Sequence, residues 1–141
     1  MTRMLFAIDD SEESRQAVKI FLGRLDWYKE KPEIHLLNVQ PPLRGDIASF
    51  LKAELIDQYH RDEGLKAAKP AQQQLEAAGV PTRMHILVGN AAETIVRYAA
   101  EHGCQQIMMG SRGLGSVGGW VLGSTVSRVL HQSHVPVLIL R

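Results

Sequence analysis

Apolar residues in this chain fall into five short runs, and the intervals between the runs carry apolar residues at helical spacing. The runs are Leu5-Phe6-Ala7-Ile8, Ile34 to Val39, Thr82 to Val88, Gln105 to Met109 and Val135 to Leu140. Most are apolar without strict alternation, as expected of parallel strands buried on both faces. Between them, Ala17, Val18, Phe21, Leu22 and Leu25 predict a first helix. Ala91, Ala92, Ile95, Val96, Ala99 and Ala100 make a narrow stripe on a later one, and Val121, Leu122, Thr125, Val126, Val129 and Leu130 mark the last. The second interval is less regular. From Asp46 it carries Ile47, Leu51 and Leu55 four apart, continues through Leu65, Ala68 and Leu75 to Gly79, and contains Pro70, which predicts a kink or break.

The boundaries have their own chemistry. Asp10 with Glu13, and Asn90 with Glu93, have the spacing of a capping box at a helix start. Gly79 and Gly103 are helix stops, and Gln40-Pro41-Pro42 cannot continue a central strand. The resulting β-α-β-α-β-α-β-α-β alternation predicts an α/β domain over residues 1–141, with a mostly parallel sheet and helices on both faces. Ligands of such sheets sit beyond the carboxyl ends of the strands, where strand order reverses. Asp9, Asp10, Val39 and Gln40 stand at predicted strand ends and therefore converge on one crevice with the segment that leaves the fourth strand.

That segment is Met108 to Thr125, MMGSRGLGSVGGWVLGST, which holds six of the twelve glycines. A strand, a loop of little side-chain bulk and a helix start together present backbone N–H groups and the positive end of a helix dipole. That combination favours an anion, and phosphate above all.

Charge and composition narrow the partners. The net charge is +1 with 22% charged residues, so a broad basic face for nucleic acid is not expected. The apolar run at the N-terminus ends at Asp9-Asp10, too short for a signal-peptide core or a membrane span. The lone Cys104 forms no internal disulfide and fits a reducing cytoplasm. His131 and His134 stand three apart with no third ligand nearby, while His35, His60, His85 and His102 are scattered along the chain and imply nothing about a site.

Three phosphate motifs compete for the glycine stretch. A Walker loop needs Gly-Lys-Ser/Thr, which the chain lacks. Gly113-Leu114-Gly115-Ser116-Val117-Gly118 spells a dinucleotide fingerprint, but it comes after the fourth strand, and an apolar strand stands where the acidic ribose ligand belongs. The third pattern is Gly110-x-x-Gly113, nine residues, then Gly123-Ser124. With it come the opening strand ending in Asp9, the Leu36-Leu37-Asn38-Val39 strand with prolines after it, and the closing His134-Val135-Pro136-Val137-Leu138-Ile139. On these residues the whole chain resembles the universal stress protein (UspA-like) family, in its ATP-binding branch.

The resemblance implies a three-layer αβα sandwich with a five-stranded parallel sheet of order 3-2-1-4-5, and ATP at its carboxyl edge; where a metal takes part, the expected form is Mg²⁺ held by phosphates plus one carboxylate. It implies Asp9 at the ribose or adenine, Ala7 and the backbone near Val39 at the base, and Gly110, Ser111, Gly113, Gly123, Ser124 and Thr125 around the phosphates. Arg112, the only cation inside the loop, is the candidate phosphate clamp. Asp10 reads as the cap of the first helix, which leaves Asp9 for the ligand. Catalysis looks weak or absent, because nothing marks a base and no Lys accompanies the glycines. The family also implies a homodimer, with strand five, Val137, Leu138, Ile139 and Leu140, pairing with its copy across a two-fold axis. That arrangement would cover a long hydrophobic edge. The expected role is a nucleotide-dependent stress-response module. The alternatives are a slow ATP hydrolase, or a dimeric interaction protein with a vestigial crevice.

Overall fold

A computed structural model describes residues 1–112 and 122–141. Five strands, β1 (Arg3–Ala7), β2 (Glu33–Gln40), β3 (Thr82–Val88), β4 (Gln106–Gly110) and β5 (Val137–Leu140), form one sheet in the order β3-β2-β1-β4-β5. Every neighbouring pair is parallel. The helices are α1 (Glu12–Leu22), α2 (Gly45–Ala48), α3 (Ala53–Ala77), α4 (Ala91–Glu101) and α5 (Ser124–Gln132), with a short 3-10 turn at Leu25–Trp27.

The central strands are apolar on both faces because both faces are covered. On one face Met4, Phe6, Ile34, Leu36 and Met108 pack with Phe21 of α1 and Ala68, Ala71 and Leu75 of α3. Phe6 and Phe21 meet edge to face at 5.8 Å, a favourable aromatic geometry. On the other face Leu5, Leu37, Ile107 and Met109 pack with Ile95, Tyr98 and Ala99 of α4 and Val126 and Val129 of α5. The architecture is thus the three-layer αβα sandwich with the 3-2-1-4-5 order. The order reverses at β1, whose neighbours are β2 and β4.

Several local expectations need correction. Pro70 does not break α3, which runs 25 residues through it. Its buried stripe, His60, Gly64, Ala67, Ala68, Ala71 and Leu75, continues across the proline, so packing holds both halves in line. Upstream, the four-residue spacing of Ile47, Leu51 and Leu55 does not make one helix: α2 ends at Ala48 and all three side chains are exposed. Strand five starts at Val137 rather than Val135. The cap of α1 is Ser11, not Asp10: the Ser11 hydroxyl accepts from the Ser14 N–H at 3.1 Å. Asp10 instead pairs with Arg15 at 3.1 Å and Lys66 at 3.5 Å. Asn90 does cap α4, accepting from the Glu93 N–H. Gly79 and Gly103 adopt φ of 73° and 63°, the left-handed turn expected after a helix.

Candidate functional site

The ends of β1 and β4 lie side by side at the point where strand order reverses. The chain leaves β1 through Ile8, whose N–H still reaches the Leu37 carbonyl at 2.9 Å, and turns into α1 at Asp9. Asp9 is locked there. Its Oδ1 accepts from the Ser11 N–H at 3.1 Å and the Ser14 hydroxyl at 2.9 Å, and the Ser14 Oγ accepts from the Asp9 N–H at 3.0 Å. Beside it, the buried Asn38 donates to the Ile8 carbonyl at 2.9 Å and accepts from Gln40 at 2.7 Å, which pins the exit of β2 to that of β1.

Between these exits and the start of α5 lies a cavity of about 630 Å³, counted to its open mouth. Ala7, Asp9, Val39, Gly110, Arg112, Gly123, Ser124 and Thr125 all line it, so the structure gathers eight of the ten candidate residues from four separate stretches. Ser111 is not among the lining residues; its carbonyl accepts the Gly123 N–H at 2.9 Å and closes the base of the loop. That bond takes the Gly123 amide away from any ligand. Gly113 lies outside the described residues. Among the described residues no side chain caps α5, and its first residues, Ser124 and Thr125, face the cavity. An uncapped helix start beside a cavity offers unpaired amides and a positive dipole end to an anion.

Two contacts change the reading of the loop residues. An ideal Cβ on Gly110 would stand 2.8 Å from the Glu13 carbonyl oxygen and 3.0 Å from its carbon. Glycine at 110 is therefore required by the close approach of α1, whatever else it allows. The guanidinium of Arg112 donates to the Glu13 carboxylate at 3.1 Å, with both side chains mostly buried. The candidate clamp thus has a carboxylate partner within the chain.

Sequence reasoning missed several lining residues. Leu37, Met109, Ile95 and Val126 form apolar wall, and Ser14 holds Asp9. Their signal was indirect, since Leu37, Met109, Ile95 and Val126 fall in apolar strands and helix stripes that read as core. A second, broader crevice adjoins the first at Asp9, Val39, Ala91 and Thr125, and α3 adds Tyr59 and Glu63 to it.

The histidines are not all scattered. His35, His85 and His102 surround Tyr98 toward the amino-terminal end of β2, away from the cavity. His35 Nδ1 lies 2.9 Å from the Tyr98 hydroxyl and Nε2 lies 2.8 Å from Glu33, while the His102 and Tyr98 rings stack at 3.8 Å. Burial pushes the Tyr98 phenol up to about 12 and lowers the His85 pKa, the latter aided by charge on His102, His35 and Arg83. The His35 hydrogen bond holds the Glu33 carboxyl below its usual range. Burial raises the Cys104 thiol, which is packed in the core as a small hydrophobe. Among the described residues no group of three or more His, Cys, Asp or Glu is arranged to hold a metal ion.

Comparison with known proteins gives one family. The model of the universal stress protein family matches residues 1–141. The universal stress protein MJ0577 of Methanocaldococcus jannaschii is 31% identical over 152 residues, which covers 99% of this chain and 94% of the relative. Its solved structure superposes with a TM-score of 0.84 over 99% of this chain and 94% of that one, at 27% identity. The universal stress protein Slr1230 of Synechocystis is 38% identical over 71 residues, and this match spans half of the chain and only 25% of that relative's length. The Archaeoglobus fulgidus universal stress protein in complex with dAMP has the same fold, with a TM-score of 0.69 at 17% identity over 100% of this chain and 98% of that one.

Proposed function

We propose that this chain, which belongs to the universal stress protein family, is a nucleotide-binding stress-response module that takes ATP in the cavity at the β1/β4 switch point. The observation that carries this reading is the convergence of a helix start with no side-chain cap among the described residues, an apolar wall and a fixed carboxylate on one cavity. Each part suits one part of the ligand. Ala7, Leu37 and Val39 offer an apolar seat for adenine. Asp9, immobilised by Ser11 and Ser14, is an acceptor for ribose hydroxyls. Ser124 and Thr125 bring hydroxyls and amides of the α5 start to the phosphates, with Gly110, Ser111, Gly113 and Gly123 shaping the loop around them. Arg112 is the cation of the site. Where Mg²⁺ accompanies ATP, the phosphates supply most of its ligands, as is usual for this ion. Solved members of the fold carrying dAMP, cAMP or AMP support an adenine nucleotide as the class of ligand.

The same reading places residues 1–141 in one domain acting in the cytoplasm as a homodimer through β5. Among the described residues no helix is long and apolar enough to cross a membrane. β5 is the last strand of the sheet and its Leu138 is 38% exposed, an apolar edge that a second copy would cover. Calorimetric titration with ATP and AMP, with and without Mg²⁺, tests the nucleotide reading. Saturable binding, weakened in Asp9→Ala, is expected, and no binding at millimolar ATP removes it.

A further inference from the structure

The cavity holds one cation among its described lining residues, and that cation is already engaged. Arg112 meets Glu13 at 3.1 Å, and the two side chains are only 24% and 32% exposed. Glu13 stands in the first turn of α1, whose backbone sits close on Gly110, so the turn that carries the carboxylate is fixed beside the cavity. The neighbouring charges offer no relief. Asp9 lines the same cavity, and the nearby cations Arg15 and Lys66 are occupied by Asp10 and Glu12. A phosphate arriving at Arg112 therefore finds a guanidinium whose charge is balanced by a carboxylate in direct contact. Each additional phosphate charge gains from Arg112 and loses against Glu13 at similar range, so the two effects largely cancel.

We infer that Glu13 sets how strongly this site discriminates among nucleotides by phosphate charge, by masking Arg112. This rests on the nucleotide reading above and adds the residue that tunes it. With Glu13 in place, affinity is governed by adenine, ribose and the helix-start amides, and the step from mono- to triphosphate is small. Without its charge, Arg112 becomes an unmatched cation in a partly dehydrated site, and the site ranks nucleotides by charge.

The experiment is a ligand ladder. Adenosine, AMP, ADP and ATP are titrated without Mg²⁺ into the wild-type protein, Glu13→Gln, Arg112→Gln and the double variant. Glutamine keeps the shape and a hydrogen-bond acceptor for Arg112 while removing the charge. In the wild type, AMP and ATP are expected within about threefold of each other, and in Glu13→Gln the preference for ATP over AMP should grow about tenfold, the scale of one partly screened charge. Adenosine affinity should not change, and the double variant should behave as Arg112→Gln. A wild-type ladder already steep in favour of ATP overturns the inference without recourse to any variant. So does a Glu13→Gln protein that binds adenosine normally but keeps the wild-type ladder or loses ATP affinity. If none of the four ligands binds the wild type, the nucleotide reading and this inference fall together; a ladder unmoved by Glu13→Gln fells the inference alone.

Discussion

Replacing Gly110 by alanine separates two reasons for a glycine at that position. The residue ends β4 in a strand conformation, without the positive φ that would exclude a side chain, so alanine is compatible with the backbone itself. On that count alone the substitution would stabilise by about 0.4–1 kcal/mol, through reduced freedom of the unfolded chain. Against this stands the 2.8 Å approach of the new methyl to the Glu13 carbonyl oxygen, a backbone atom held in the first turn of a helix and unable to rotate aside. Relieving such overpacking by shifting α1 costs about 1–3 kcal/mol. The expected net effect therefore runs from about zero to a loss of roughly 2.6 kcal/mol, at its middle a fall in Tm of a few degrees for a domain of this size. Gly45 is the control: nothing lies within 4 Å of its Cβ position, so Gly45→Ala should raise Tm. Thermal and urea unfolding of both variants, without ligand, give the answer. If Gly110→Ala gains stability as Gly45→Ala does, the packing argument fails, and ligand approach becomes the reason for the glycine.

The same geometry sets other expectations. Ser11→Ala removes the cap of α1 and should cost about 1 kcal/mol in urea unfolding, whereas Asp10→Ala, which loses only partly exposed ion pairs, should cost well under that; the reverse ranking would restore Asp10 as the cap. Acid should destabilise the fold in two stages. The His85 pKa lies below its ordinary 6.5, so the unfolded chain takes a proton the fold resists, and stability is lost as pH falls below 6.5 toward the folded value. Glu33, held below its ordinary 4.5, adds a second loss as pH falls from 4.5 through its folded pKa. Tm measured from about pH 7.5 to 5 should decline, and His85→Gln should flatten that slope; a Tm that rises on acidification contradicts the assignment. For the homodimer, Leu138→Glu should yield a monomer by light scattering with little change in fold. Val137 and Ile139 are poorer targets because both pack against the core. A Leu138→Glu protein that stays dimeric points to another face.

How much of this was legible in the residues alone? Period and punctuation located the strands well; β3 runs from Thr82 to Val88 as its apolar run suggests, because turn residues bound it on both sides. The 3-2-1-4-5 order came from family resemblance, since alternation alone leaves strand order open. Eight of ten candidate residues share one cavity because strand exits in a parallel sheet must converge. What stayed hidden depends on tertiary approach. The pairing of Glu13 with Arg112 links positions 99 apart, and nothing in either local pattern signals it. His35, His85 and His102 meet only because β2 and β3 are neighbours and α4 crosses behind them. Pro70 misled because a local rule about helices was overruled by a stripe of buried residues on both sides of it. Ser11 took the capping role from Asp10 by one residue, a shift that side-chain spacing does not resolve.

The seating of α1 on Gly110 has a mechanical consequence. The first turn of that helix carries the residue that faces Arg112 and adjoins the loop that holds Asp9, and it rests on β4 with no clearance for a methyl group. Helix and strand therefore behave as one rigid wall. A pull on Arg112 is thus carried through Glu13 into the first turn of that helix rather than ending at a single side chain.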